Sequence, residues 1–164
     1  MKPFEITPDM QATKGIRLAH LFIDYFGFFA ILVIVMFLAG FVATAIGYQD
    51  FLIWLTSESL SVNLVSILLY LLYYFIWEAM AARTLGKLIT GTIIVDENGE
   101  KPTVRAAFIR TVCRLIPFEY FSFLGERGWH DSISNTYVVK KHIYLIRKNE
   151  VIEMDEIGQK SEII

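Results

Sequence analysis

From Tyr25 to Ile46 the chain runs for 22 residues without a charged side chain. At about 1.5 Å rise per residue, a helix of that length crosses the ~30 Å hydrocarbon core of a bilayer. A second uncharged run of 18 residues extends from Leu60 to Trp77, inside the range of about 17–25 that a spanning helix needs. The two runs predict transmembrane helices over about 22–47 and 60–80. The chain is 55% hydrophobic and only 20% charged, and the charges are segregated between these runs rather than scattered as in a soluble domain. "ATA" at 43–45 resembles a signal-peptidase site. The apolar run nevertheless far exceeds the h-region of a signal peptide and has Asp24 within it, so cleavage is not expected.

The distribution of Lys and Arg sets an expected orientation. Lys14 and Arg17 precede the first run, and Arg83 and Lys87 follow the second. The connection from Gly47 to Ser59 holds Asp50 and Glu58 but no basic residue. Both termini are therefore expected in the cytoplasm, in a multi-pass protein of the inner membrane. Tyr48, Phe51 and Trp54 suit the outer interface, and Tyr73, Tyr74 and Trp77 the inner one. The lone Cys113 cannot form an intramolecular disulfide, and nothing in the sequence suggests structural zinc.

Residues 1–14 read as a loose cytoplasmic tail, 15–140 as the membrane domain and 141–164 as a polar C-terminal tail, extended or partly helical. After the second run, "GTIIVD" and "NTYVVK" share a pattern of Thr followed by β-formers. They are expected to pair as a small sheet tying 91–95 to 136–140. Between them, Thr103 can cap a helix over about 104–116 that Pro117 stops. Arg110 and Arg114 share one face of it and Arg105 lies elsewhere. Too charged and too short to span, it is expected along the cytoplasmic interface with its apolar face toward lipid. The fold class is thus an α-helical membrane hairpin carrying an amphipathic helix and a short β pair.

Within the first helix, Arg17, His20 and Asp24 fall in an arc of about 60°, because they lie at positions 0, 3 and 7. A lone carboxylate at the centre of a bilayer helix costs about 2.5–3.5 kcal/mol, and less near an interface. Asp24 therefore needs a partner. His20 lies one turn away, and Arg110, Arg114 or Arg127 can reach it if the third helix packs on the mouth of the first. Glu78, at the inner end of the second helix, poses the same problem. Asp24 and Glu78 are expected to face a basic cluster of Arg83, Lys87, Arg110, Arg114 and Arg127. One reading is an electrostatic clamp. The other is that Asp24, His20 and Glu78 bind a cation or relay a proton.

Arg17 and Asp24 in the first helix, followed by "RTLGKLITGTIIVD", "NGEKPTVRAAFIR" and "RGWHDSISNTYVV", resemble the RDD family of bacterial membrane proteins over residues 14 to 140. By position Arg17 and Asp24 match the arginine and first aspartate of that name, and Asp131 is the candidate for the second. Many members carry a further membrane helix before the His-Asp block. Here only "FEYFSFLGE" separates Pro117 from Arg127, and nine residues cannot span. The resemblance implies a short, two-span form, and transport, including cation/proton exchange, has been suggested for some members.

His130-Asp131 is too little for a metal site or a hydrolase, and Asp131 reads as a cap for the next turn. "GKLITG" lacks a phosphate-loop pattern. No cofactor, enzymatic activity or nucleic-acid partner is expected. The expected partners are the bilayer, including anionic lipid at the basic cluster, and a second copy or another membrane protein. Two helices alone cannot enclose an ion path against lipid. The functional expectation is transport of small cations or protons by an oligomer. Its alternative is a non-transporting scaffold or accessory protein.

Overall fold

The computed structural model describes residues 4–57, 59–125 and 127–162. Glu58, counted above in the acidic connection, lies outside the described residues. Helix α1 covers Lys14–Ala45 and starts where the Thr13 side chain accepts from the Ile16 amide. It therefore begins well before the apolar run, and Arg17, His20 and Asp24 sit within its first three turns. A short helix, α2 (Gln49–Leu55), was not anticipated from the sequence; Tyr48 and Trp54 flank Phe51 there in an aromatic row. Helix α3 (Leu60–Ala81) is capped by Ser59 and stopped by Ala82, which takes a left-handed conformation at φ 52°.

Helices α1 and α3 are long and apolar enough to cross a membrane, and only 6% and 11% of their most apolar stretches are buried within the protein. A core helix of a soluble protein would be covered. These present Phe22, Phe29, Val33, Phe37, Phe41, Leu64 and Leu68 outward. Where they meet, the contact is aromatic: Phe28 packs edge-on to Tyr70 at 5.3 Å and tilted to Tyr73 at 5.7 Å.

The polar half of the molecule caps one end of this pair. Helix α4 (Leu85–Ile89) leads into β1 (Thr92–Asp96), which pairs antiparallel with β2 (Thr136–Lys140), Thr92 opposite Lys140 and Asp96 opposite Thr136. The pairing expected from the two Thr-led segments is present, one residue further along on the first strand. Between the strands lie α5 (Val104–Cys113), a 3-10 helix (Glu119–Leu124) and α6 (Trp129–Ile133). Thr103 caps α5 through the Ala106 amide at 3.2 Å. The helix ends at Cys113, and residues 114–116 continue as turns rather than helix.

The N-terminal segment differs from the loose tail expected. Residues 4–13 lie along β2: the Ala12 amide donates to Val138 O at 2.9 Å and the Lys140 amide to Met10 O at 2.8 Å. Met10 joins Val95, Val139 and Tyr144 in a small core, with Phe4 and Ile6 against it. Prolines and polar residues masked this alternation of buried and exposed positions. The C-terminal segment is a helix, α7 (Lys141–Glu162). It continues directly from β2, and its Tyr144 donates to Gly99 O at 2.6 Å.

The α5 helix is inverted relative to a soluble amphipathic helix. Ala107, Arg110, Thr111 and Cys113 face inward, whereas Val104, Phe108, Val112 and the following Leu115 are exposed. Arg110's ion pair and an edge-on contact of Phe108 with Phe75 hold it to α3, and the rest of its apolar face is left for another apolar phase.

Candidate functional site: a buried ion-pair cluster

Four segments distant in sequence converge where α1 and α3 enter the cap. Arg110 sits at the centre, fully buried. Its Nε is 2.8 Å from Glu78 Oε2 and its Nη1 is 2.5 Å from Asp131 Oδ1, and Nη1 also donates to the Thr136 hydroxyl. One planar guanidinium therefore joins α3, α6 and β2, a geometry that a lysine's point charge cannot reproduce. Glu78 takes two further cations, Arg114 Nη2 at 2.9 Å and Lys87 Nζ at 3.4 Å. Asp131 takes Arg17 Nη1 at 3.3 Å. The Arg17 Nε in turn donates to Ala12 O at 3.1 Å.

Asp24 finds other partners. Its carboxylate accepts from the Thr84 hydroxyl at 2.6 Å, the Gly86 amide at 2.6 Å and the Tyr73 hydroxyl at 3.5 Å. These are neutral donors around the start of α4, so the expected contact with His20 or with the arginines of α5 is not made. The approach depends on Gly86: a methyl group there would lie 2.9 Å from the His20 backbone and 3.1 Å from the Asp24 carboxyl carbon. His20 points to a different pair, Thr90 Oγ1 at 2.7 Å and Thr92 Oγ1 at 3.0 Å.

Of the basic residues expected to cluster, Lys87, Arg110 and Arg114 meet at Glu78. Arg83 makes no ion pair among the described residues. Arg127 does not join them either: it donates to the Asp131 and Thr136 carbonyls and lies over the Tyr137 ring at 3.9 Å. Asp131, read from the sequence as a helix cap, is instead 1% exposed and ion-paired on both oxygens. The reason is that α6 starts at Trp129 with Gly128 at its cap position, which puts Asp131 inside the helix with its carboxylate turned to Arg17 and Arg110. Glu119 was missed. It is buried, it meets His130 Nδ1, and its Oε1 accepts from the Ser122 hydroxyl at 3.3 Å. Nothing in "FEYFSF" distinguishes that glutamate from a solvated one.

Outside the two long helices, the local fields have clear directions. Burial alone would raise the Asp131 carboxyl, but His130, Arg110 and Arg17 outweigh it and hold the group well below the usual aspartate range. Burial would lower Arg110 and Arg114, yet Glu78 and its neighbours raise both. For Lys87 burial prevails: it falls below the usual lysine range despite Glu78 and Asp24.

The cluster encloses a polar cavity of about 60 Å³ bordered by His20, Asp24, Lys87, Arg114 and Asp131. Among the described residues no group of three or more His, Cys, Asp or Glu is arranged to hold a metal ion. Counted together, Arg17, Lys87, Arg110 and Arg114 balance Asp24, Glu78, Glu119 and Asp131, four charges against four.

Two apolar helices closed at one end by a charged, neutralised cap define a small membrane-associated helical domain. The chain belongs to the RDD family: residues 12–135 match the model of that family. It is also 32% identical over 117 residues to the uncharacterized protein YxaI of Bacillus subtilis (strain 168), covering 65% of this chain and 78% of that protein. No solved structure matches it.

Proposed function

We propose that this chain is a multi-pass protein of the inner membrane with both termini in the cytoplasm, and that its charged cluster is a structural clamp. In this reading the clamp fastens a cytoplasmic cap onto a two-helix hairpin. The domain then serves as a non-enzymatic membrane scaffold or accessory, offering its outer surfaces to lipid and to a second copy or another membrane protein. The supporting observation is that each buried carboxylate has its partners in place: three donors on Asp24, three cations on Glu78, two arginines on Asp131 and His130 on Glu119. Exchanging any of them for a passing ion means breaking contacts that also hold the fold, and truncating one partner of such a buried pair is strongly destabilising.

One observation favours a second reading, movement of a small cation or proton through an oligomer. His20 and Asp24 both border the polar cavity, and intramembrane carboxylates and imidazoles commonly form proton relays. Reconstitution into liposomes separates the two. The clamp reading expects no flux of Na⁺, K⁺ or H⁺ above empty vesicles. Flux that disappears in a folded Asp24→Asn variant would establish the second reading. Orientation is checked separately, with cysteines introduced at Ser57 and Lys101 in a Cys113→Ser background. A membrane-impermeant thiol reagent added to intact cells should label only the first.

A further inference from the structure

The polar cavity does not stand alone. Leu21, Tyr74 and Tyr120 border it and also border a second space, an apolar groove of about 440 Å³ between α1 and α3. Phe22, Tyr25 and Phe28 form one wall of that groove and Tyr70 the other. It opens sideways, where Phe22 and Tyr25 are more than half exposed. At its cap end the Tyr70 and Tyr120 hydroxyls meet at 2.6 Å. A small polar compartment thus adjoins a long apolar one, with three residues common to both.

The polar compartment has surplus donors. Arg114 borders it with its side chain only 7% exposed, and its Nε has no hydrogen-bond partner among the described residues. Lys87 borders it as well, and among the described residues its Nζ makes a single long contact, at 3.4 Å to Glu78. Buried donors normally find acceptors, and leaving one unsatisfied is costly. The charges, in contrast, already balance at four against four. A carboxylate or phosphate entering here would add an uncompensated charge in a desolvated site. An uncharged oxygen acceptor would satisfy the donors without that penalty.

We propose that the joined compartments bind a neutral lipid with one hydrocarbon chain and a small oxygen-bearing head, such as a monoacylglycerol. The chain lies in the aromatic groove, and a hydroxyl or ester oxygen of the head accepts from Arg114 Nε. Space supports the small head, since about 60 Å³ holds one compact polar group or a few waters. A glycerophosphate head carrying two chains does not fit such a compartment. The site does not depend on whether the cluster clamps or conducts, only on the groove's meeting lipid.

The test uses the full chain in detergent micelles, titrated with monoolein and, in parallel, with oleate and phosphatidylglycerol, and read by native mass spectrometry. One monoolein per chain is expected, in preference to both anionic lipids. Leu21→Trp puts a larger side chain where the two compartments adjoin and should weaken monoolein binding about tenfold while the circular dichroism spectrum is unchanged. A monoolein analogue with a photoreactive group in its chain is the second measurement, made on the unmodified protein. It should label peptides containing Phe22, Tyr25 or Tyr70. Preference for oleate or phosphatidylglycerol overturns the proposal. So does labelling confined to another apolar groove between the two helices, lined by Val35, Leu69 and Leu72, or a folded Leu21→Trp that binds like the parent.

Discussion

Arg110 Nε donates to Glu78 Oε2 across 2.8 Å, and both side chains are shielded from solvent. The bond joins α5 to α3, and through the other arm of the same guanidinium to Asp131 on α6. Among the described residues the cap has no large apolar core, and its clustered buried hydrophobic residues form two small groups around the sheet. The buried ion pairs link cap to hairpin at several points, so the cluster helps position elements that burial alone positions in a soluble domain.

Arg110→Ala should therefore be among the most damaging substitutions in the protein. It leaves Glu78 and Asp131 each short of a cation, a situation that costs about 3–5 kcal/mol for buried pairs. Arg110→Lys should rescue little, because one ammonium cannot reach both carboxylates and Thr136 together. Thermal unfolding in detergent, followed by circular dichroism, checks both. A melting curve for Arg110→Lys matching the parent would show that the bridging geometry is dispensable.

Two glycines make a contrasting pair. A methyl at Gly86 meets backbone atoms of His20 at 2.9 Å, whereas one at Gly27 meets the Leu85 Cδ1 at 3.0 Å, the free end of a flexible side chain. Gly86→Ala should push α4 off α1 and cost about 1–3 kcal/mol, the usual range for overpacking. Gly27→Ala should be nearly neutral, since Leu85 can turn aside. Comparing the two melting temperatures distinguishes a close backbone approach from general crowding along α1.

The two long apolar helices, the Thr-led strand pair and the existence of a charged stripe on α1 could be read from the sequence, because each rests on a periodicity or on a long uniform run. Partner identity could not. Asp24 and Glu78 looked equivalent, two carboxylates at the same level of a hairpin, yet one takes hydroxyls and an amide and the other takes three cations. The difference arises because α4 starts beside α1, putting Thr84 and the Gly86 amide next to Asp24, while α5 lies beside α3. Such choices are set by packing between segments that lie from 9 to 62 residues apart in the chain. Glu119 illustrates the same limit: only the fold brings His130 to it.

Asp24→Asn tests the role of the neutral donors. An amide oxygen in place of Oδ1 still accepts from Gly86 and Tyr73, but its NH₂ then faces the Thr84 hydroxyl. Turned over, the NH₂ faces the Gly86 amide and the Tyr73 hydroxyl. Hydrogen bonds to a charged acceptor are worth about 1.5–3 kcal/mol each, so the start of α4 should loosen while α3 and α5 remain held by Glu78. Amide hydrogen exchange checks this. Protection at Gly86, Leu88 and Thr90, whose amides bond to Asp24 or within the α4 turn, should fall in the variant. Protection within α5 should not change.

The cap should also lose stability in acid in two stages, and His130 should govern the first. Its Nδ1 meets Glu119 and its Nε2 lies 3.4 Å from Asp131, with Arg110 and Arg114 nearby. Burial, aided by the two arginines, outweighs the carboxylates and holds the imidazole below its ordinary value of 6.5. The folded state therefore binds fewer protons than the unfolded state once the pH drops below about 6.5, and stability falls with pH from there down to the lowered value. Glu119 and Asp131 have depressed values, so the stability they contribute is intact above their ordinary 4.5 and 3.8 and is lost only below. His130→Gln should flatten the slope of unfolding free energy against pH between about 6.5 and 4.5 and leave the steeper loss at lower pH in place. Denaturant titrations across pH 4 to 8 in one detergent measure both limbs. An unchanged slope above pH 4.5 in the variant would assign that proton uptake to another group and remove His130 from the acid response.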